Sequence, residues 1–318
     1  LLELSRKSWK KFAVSGIYDD KKDEVRKSTD VDGRSALGLF KLAGFDTSET
    51  AYLMPNQPEK GRVHVDMGSK EGFIVNDDGK TAYFDHHSHS SKRGSSATEK
   101  VYETLTALGA LNRTPELESL VKFVNAEDNR SYAKEQEYFR DSYRNLLGLS
   151  RFMSFGHLYD YFKSGRDADT ILTKAEISKL GLEKQSNMLK ANISQSFEKL
   201  KELEKNGFIV NSPRYGKIVV DVDRKVSEAF RAAKAYGAGG YLIWSPYKNS
   251  MFFSTVDTPI EGHLPQGRLI RETMWIKPRG DKQPLTMNLQ EVLNILTQGK
   301  LKPTGELAKY LAKSGAKK

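Results

Sequence analysis

Over the first half of the chain, short apolar runs of strand length alternate with stretches whose apolar residues return every three to four positions, as in helices. Phe12 to Ile17 is an apolar run. Arg62-Val63-His64-Val65-Asp66 alternates, with Val63 and Val65 on one face and His64 and Asp66 on the other. Phe73 to Val75 and Thr81 to Phe84 flank Asn76-Asp77-Asp78-Gly79, and an Asp-Gly pair accepts the positive φ of a tight turn, so this stretch reads as a hairpin. Ala36 to Ala43 has helical spacing with Gly44 as its C-cap, Ser95 and Ser96 offer N-cap hydroxyls to a helix reaching about Leu108, and Glu116 to Val124 reads as another helix. Strand, acidic loop and helix in repeated order predict an α/β domain with a doubly wound, mainly parallel sheet, in which ligands bind beyond the carboxyl ends of the strands.

The pattern changes from about Lys174 to Lys205, a charged stretch with Ile177, Leu180, Leu182, Met188, Leu189, Ile193, Phe197, Leu200 and Leu203 at helical spacing. Such a helix joins two lobes. Beyond it, Gly216 to Val222, Tyr241 to Trp244, Met251 to Thr255 and Met274 to Ile276 read as strands, and Val226 to Ala235, Leu289 to Leu296 and Gly305 to Leu311 as helices. These form a smaller α+β domain. The expected division is 1–165, a helical connector 166–207, and 208–318 with a basic helical tail.

Length and charge narrow the chemistry. A chain of 318 residues has room for two cores, and 51 Lys and Arg against 41 Asp and Glu leave a net charge of +10, which favours anionic partners such as nucleic acid or phosphoesters. Zero cysteines exclude a disulfide framework and a thiolate zinc site. No run approaches a membrane span, so a soluble cytoplasmic protein without membrane partners is expected. The chain starts at Leu1, which leaves open a segment removed before it.

The candidate chemistry sits at predicted element ends: Asp30-Val31-Asp32-Gly33, Asp66, Asp85-His86-His87, and Asp128 within Asn125-Ala126-Glu127-Asp128-Asn129. Taken singly, each has an ordinary reading. Asp-x-Asp-Gly is a turn, with both acids on an extended segment or tight loop before a helix starting near Ser35; Asp66 is a solvated strand end, Asp128 a cap, and His64 a packed or hydrogen-bonded residue. Together they form a set of hard oxygen and imidazole donors that suits Mn²⁺ or Mg²⁺ and a two-metal phosphoester site. Ser95 and Ser96 either cap their helix or help its first turn hold a substrate oxygen.

The order Asp-x-Asp-Gly, Val-Asp at a strand end, Asp-His-His and a downstream Glu-Asp-Asn resembles the DHH phosphoesterase superfamily, over roughly residues 12 to 130. That superfamily includes RecJ-type single-strand exonucleases, oligoribonucleases, cyclic-dinucleotide phosphodiesterases and family II pyrophosphatases. The resemblance implies Asp30, Asp32, Asp66, His86 and Asp128 as ligands of two Mn²⁺ ions, with Mg²⁺ as the substitute. It also implies Asp66 as the bridge between the ions and His87 as the group that meets the substrate phosphate. Tyr215-Gly216-Lys217-Ile218-Val219-Val220 is similar to the approach to that family's substrate domain, DHHA1.

Three departures accompany it. Ser28 stands where relatives carry His or Asp, Tyr18 to Lys27 is too charged for a buried strand and reads as an insertion or mobile loop, and Gly262-His263 only approaches the Gly-Gly-His-Pro signature. His263, Arg268 and Arg271 are candidate substrate contacts, with bases stacking on exposed Trp244, Tyr247 or Phe252. The expected activity is hydrolysis of single-stranded or short nucleic acid. A cyclic dinucleotide or pyrophosphate as substrate, and a non-catalytic nucleic-acid scaffold, remain alternatives.

Overall fold

The computed structural model describes residues 8–19, 24–26, 28–54, 57–67, 72–85, 95–129, 139–223, 226, 229–248, 250–255, 258–260, 268–271, 274–277, 285 and 287–315. The chain divides into two compact units, Leu1–Ala133 with Arg144–Leu182, and Lys134–Tyr143 with Glu183–Lys318.

In the first unit, β1 (Phe12–Ser15) leads into a hairpin of β2 (Ile17–Asp19) and β3 (Glu24–Arg26), and then into α1 (Val31–Leu42). The segment expected as an insertion or loop is therefore partly strand, with Ile17 opposite Arg26 and Asp19 opposite Glu24. There follow β4 (Thr50–Leu53), β5 (Val63–Val65), β6 (Gly72–Val75), β7 (Ala82–Asp85), α2 (Ala97–Ala107) and α3 (Pro115–Asp128). The sheet runs β4-β1-β5-β7-β6, parallel except for β6, which pairs antiparallel with β7 through the Asn76–Gly79 turn. This is a mixed α/β unit with a mostly parallel sheet.

The core forms where strand residues Phe12, Val63, Val65 and Phe84 meet Leu39 and Phe40 of α1 and Val101 and Leu105 of α2. Phe40 is its centre, with ring centroids 5.0 Å from Phe12, 5.2 Å from Phe84, 5.4 Å from Phe45 and 6.2 Å from Trp9. The unit continues through α4 (Leu146–Leu149), α5 (Phe155–Lys163) and α6 (Lys174–Lys179).

The long helix expected from Lys174 to Lys205 is two helices. Gly181, at φ +67°, turns the chain after α6, the Leu182 amide donates back to the Ile177 carbonyl at 3.0 Å, and α7 spans Glu183–Lys205. Apolar spacing runs through the break because Leu182, between the two helices, is buried like Ile177 before it and Leu189 after it, so periodicity alone does not register the left-handed glycine.

The second unit holds β8 (Ile209–Ser212), β9 (Gly216–Val222), α8 (Ala229–Ala235), β10 (Gly240–Ser245), β11 (Ser250–Thr255), β12 (Arg268–Arg271), β13 (Met274–Lys277), α9 (Leu289–Leu296) and α10 (Gly305–Gly315). Its sheet runs β12-β13-β11-β10-β9-β8, with only β9 and β10 parallel, joined by α8. One face packs Val219 and Tyr241 against Leu200, Leu203 and Ala232. The other packs Val220, Trp244, Phe253 and Trp275 against Leu293 and Leu307. Asp221, fully buried, accepts from the Val226 amide at 3.0 Å and from the Tyr241 hydroxyl.

A short piece from before α4 also belongs to this unit. Phe139 is buried beneath the Lys234 ammonium, 4.6 Å from its ring centroid; Arg140 lies 5.5 Å over Phe197 and Lys190 5.4 Å over Tyr143. The Ser186 hydroxyl donates to the Tyr143 carbonyl at 2.7 Å.

On α8's flank the Tyr236 hydroxyl donates to Glu204 at 2.6 Å, and burial, followed by that bond and the carboxylate's charge, pushes the phenol up to about 12. Because the folded state holds this proton more tightly than the unfolded chain, its stabilising contribution is complete below the usual value of 10.0 and is lost as pH rises toward about 12. Tyr236→Phe should remove one late-titrating phenol from the tyrosinate absorbance curve. Loss of that phenol from the part of the curve near 10.0, with the late part unchanged, would show that Tyr236 ionises normally. Among the described residues no helix is long and apolar enough to cross a membrane.

Candidate functional site

The carboxyl ends of β1, β5 and β7 lie side by side in the middle of the first sheet, since Val14 pairs with Val65 and Val65 with Phe84. One residue beyond β5 is Asp66. It is 5% exposed, its amide donates to the Phe84 carbonyl at 3.0 Å, and its φ is +52°. A left-handed backbone costs an L-residue about 1–2 kcal/mol, a cost that Asp and Asn bear best because their short polar side chains bond locally. On the neighbouring strand Asp85 is buried and closes β7. His86 and His87 follow it directly and lie outside the described residues.

His64, one turn of the pleat before Asp66, serves the fold. Its ring stacks on Tyr83 at 5.0 Å and 17°, and its Nε2–H donates to the Glu59 carbonyl at 2.7 Å. Burial lowers its pKa and outweighs the opposing pull of the Glu59 bond.

Asp30 is the N-cap of α1, with φ −71° and ψ −169°, and its Oδ1 accepts from the Gly33 amide at 3.0 Å. The helix begins at Val31, so the extended segment or loop expected for Asp30 to Asp32 and the start near Ser35 are both corrected. An N-cap carboxylate starts the helix at once, which carries Asp32 and Gly33 into its first turn. Gly33 is there for close approach. A Cβ on it would lie 2.6 Å from Val14 Cγ2 and 2.4 Å from Thr29 Oγ1, so only glycine lets α1 settle on the end of β1. Arg34 donates long bonds to the Ser150 and Arg151 carbonyls, 3.4 and 3.5 Å, and burial lowers its pKa against the pull of Asp30.

Asp32 is 2% exposed and reaches across to α2. Its Oδ2 accepts from the Ala97 amide and its Oδ1 from the Thr98 amide, both at 2.8 Å, while the Thr98 hydroxyl donates to the Asp32 carbonyl at 2.9 Å. Ser96 caps α2: its Oγ accepts from the Glu99 amide at 3.2 Å and donates to Asn125 Oδ1. Asn129 Nδ2 donates to the Ser95 carbonyl at 3.3 Å and to the Asn125 carbonyl at 2.9 Å. Asp128, half-buried, is the last residue of α3. Burial raises the Glu99 pKa, partly offset by a hydrogen bond from Asn125.

The first turns of α1 and α2 and the last turn of α3 are thus tied together by Asp32, Ser96, Asn125 and Asn129. Thr98 and Asn125 were not singled out in the sequence. The signals were present, Thr98 in Ser-Ser-Ala-Thr and Asn125 in Asn-Ala-Glu-Asp-Asn, but both look like ordinary end-of-helix residues.

Among the described residues, no three His, Asp or Glu side chains are grouped to hold a metal ion. Oxygen donors of this kind suit Mg²⁺ or Mn²⁺, but both Asp32 oxygens already accept backbone N–H bonds, and His86 lies outside the described residues. The described carboxylates do not by themselves make the expected two-ion centre.

In the second unit, His263 also lies outside the described residues, and Arg268 and Arg271 open and close the edge strand β12, whose register shifts between Leu269 and Arg271. Trp244 is 4% exposed and Trp275 3%, which corrects the expectation that Trp244 stacks bases: alternation along β10 turns it into the core under α9 and α10. Tyr247, at 91%, is the exposed ring of the group.

No family model matches the chain. No curated protein matches it either. Among solved structures, RecJ from Thermus thermophilus in complex with Mg²⁺ aligns with a TM-score of 0.38 and 14% identity, covering 84% of this chain. The alignment spans 44% of the RecJ chain, less than half its length. An uncharacterized protein from Helicobacter pylori aligns with a TM-score of 0.25 and 13% identity, covering 91% of this chain and 99% of that one. Likeness at this level assigns no activity.

Proposed function

We propose that the first unit is a metal-dependent phosphoesterase acting on single-stranded or short nucleic acid. The observation that supports this most is Asp66, a buried acid held in a left-handed turn at the carboxyl end of a central parallel strand, beside the strand that runs into His86 and His87. Ligands of parallel α/β sheets gather at this edge, and a non-glycine residue kept at positive φ is a cost that folds retain at functional sites. Asp30, Asp66, His86 and Asp128 are the proposed ligands, and His87 is proposed to orient the substrate phosphate. Divalent ions held there would supply charge neutralisation and an activated water.

The test is hydrolysis of labelled single strands, dinucleotides, cyclic dinucleotides and pyrophosphate with and without Mn²⁺ or Mg²⁺. Metal-dependent cleavage of the strands or dinucleotides is expected. Turnover confined to pyrophosphate or cyclic dinucleotides would move the substrate to the alternatives. One observation favours a second reading, a non-catalytic nucleic-acid scaffold: the Asp32 carboxylate has a structural use. Under that reading calorimetry finds no Mn²⁺ bound.

For the second unit we propose that the β12 edge contacts the strand through Arg268 and Arg271. Removing both to Ala should weaken oligonucleotide binding and reduce the slope of log K against log salt by about 1.4, the value for two phosphate contacts on a single strand. Hydrolysis of a minimal diester should be spared. An unchanged slope would take this strand out of the binding face.

A further inference from the structure

The first turn of a helix brings four backbone N–H groups that the helix itself cannot satisfy, and such a turn is where a substrate phosphate would be sought. In α2 three of them are accounted for. The Ala97 and Thr98 amides donate to Asp32 and the Glu99 amide to Ser96 Oγ, after which the helix's own first bond runs from the Lys100 amide to the Ser96 carbonyl at 3.2 Å. The anion at this helix start is the chain's own.

We infer that Asp32 is a built-in carboxylate filling the place of a bound anion at α2 and clasping α1 to α2, so that the Ala97 and Thr98 amides are not open to a phosphate. The geometry supports this in three ways. The carboxylate uses one oxygen per amide at 2.8 Å, the spacing of charge-assisted bonds. It is buried, so the bonds compete with little water. Its single negative charge also stands at the positive ends of two helices at once, within the first turn of α1 and before the first turn of α2. The Thr98 hydroxyl closes the same junction from the other side by donating to the Asp32 carbonyl. This role holds whether or not a metal ion binds nearby.

Replacing Asp32 with Asn keeps the size and one acceptor, but sets an amide donor against a backbone N–H. In the full chain with chelator present, Asp32→Asn should lower the melting temperature of the first unit by about 5–10 °C, the scale for losing a buried charge-assisted bond in a domain of this size. In the same buffer Asp66→Asn, which lies outside this clasp, should melt within about 2 °C of the unaltered protein. Added MnCl₂ should still raise the melting temperature of Asp32→Asn if the unaltered protein responds to it. An Asp32→Asn protein that melts normally in chelator and has lost a Mn²⁺ response overturns the inference and makes Asp32 a ligand first. Should Asp32→Asn give no folded protein, Thr98→Val takes its place, since it removes one hydroxyl bond from the same junction. A fall of about 3 °C or more supports the clasp, and an unchanged melt overturns it. None of these readouts depends on hydrolysis, so failure of the phosphoesterase proposal and failure of this one are separately visible.

Discussion

Asp66→Asn should abolish metal-dependent hydrolysis, by about 10²–10³-fold or more, while the protein stays folded. Asn accepts a left-handed backbone as readily as Asp, so the φ of +52° is preserved and only the charge is lost. Asp66→Ala lacks the polar side chain that eases this conformation, and a further loss of about 1 kcal/mol of stability is expected from it. Comparing the two separates charge from strain. If Asp66 serves two ions, calorimetry on the Asn variant should find both Mn²⁺ sites lost together. Two ions still bound tightly would end the bridging role and leave Asp66 as a structural turn residue.

The second large effect concerns stability. Phe40 holds Phe12, Phe45, Phe84 and Trp9 in one aromatic cluster beneath the strands that carry Asp66 and Asp85. Phe40→Ala should destabilise the first unit by about 3–5 kcal/mol, through lost burial and the cavity left among rings that cannot all move inward. Hydrogen–deuterium exchange reads it locally: peptides from β1, β5 and β7 should lose protection, and those from β9 to β11 should not. A loss under about 1 kcal/mol would mean that the cluster closes over the gap.

Much of the first unit was legible because its strands are short apolar runs and its helix starts carry hydroxyl or carboxylate caps. The Asn76–Gly79 turn, the strand end at Asp66 and the cap at Ser96 follow from local chemistry that tertiary packing leaves alone. Asp32 shows where this stops. Asp-x-Asp-Gly is compatible with a loop, a metal site or a helix start, and what decides is the pair of amides on α2, brought in from 65 and 66 residues away. The hairpin at Ile17 to Arg26 was hidden for a similar reason, since its charges masked an antiparallel pairing that needs little apolar content. Trp244 went astray because both faces of β10 are covered, Tyr241 lying in one core and Trp244 in the other, and the sequence does not show the helices that do the covering.

The piece around Phe139 to Tyr143 governs how this protein can be dissected. It lies between two stretches of the first unit yet packs with the second, through Lys234 over Phe139, Arg140 over Phe197 and Lys190 over Tyr143. A cut at residue 183 would strand Phe139 on the wrong fragment and strip α7 and α8 of the Phe139 and Tyr143 rings and the Arg140 guanidinium. A fragment that starts before Phe139 would instead drag along the second portion of the first unit, Arg144–Leu182. The two units are therefore not separable by one scission: a faithful second unit needs the short peptide rejoined to Glu183 through a linker that replaces Arg144–Leu182.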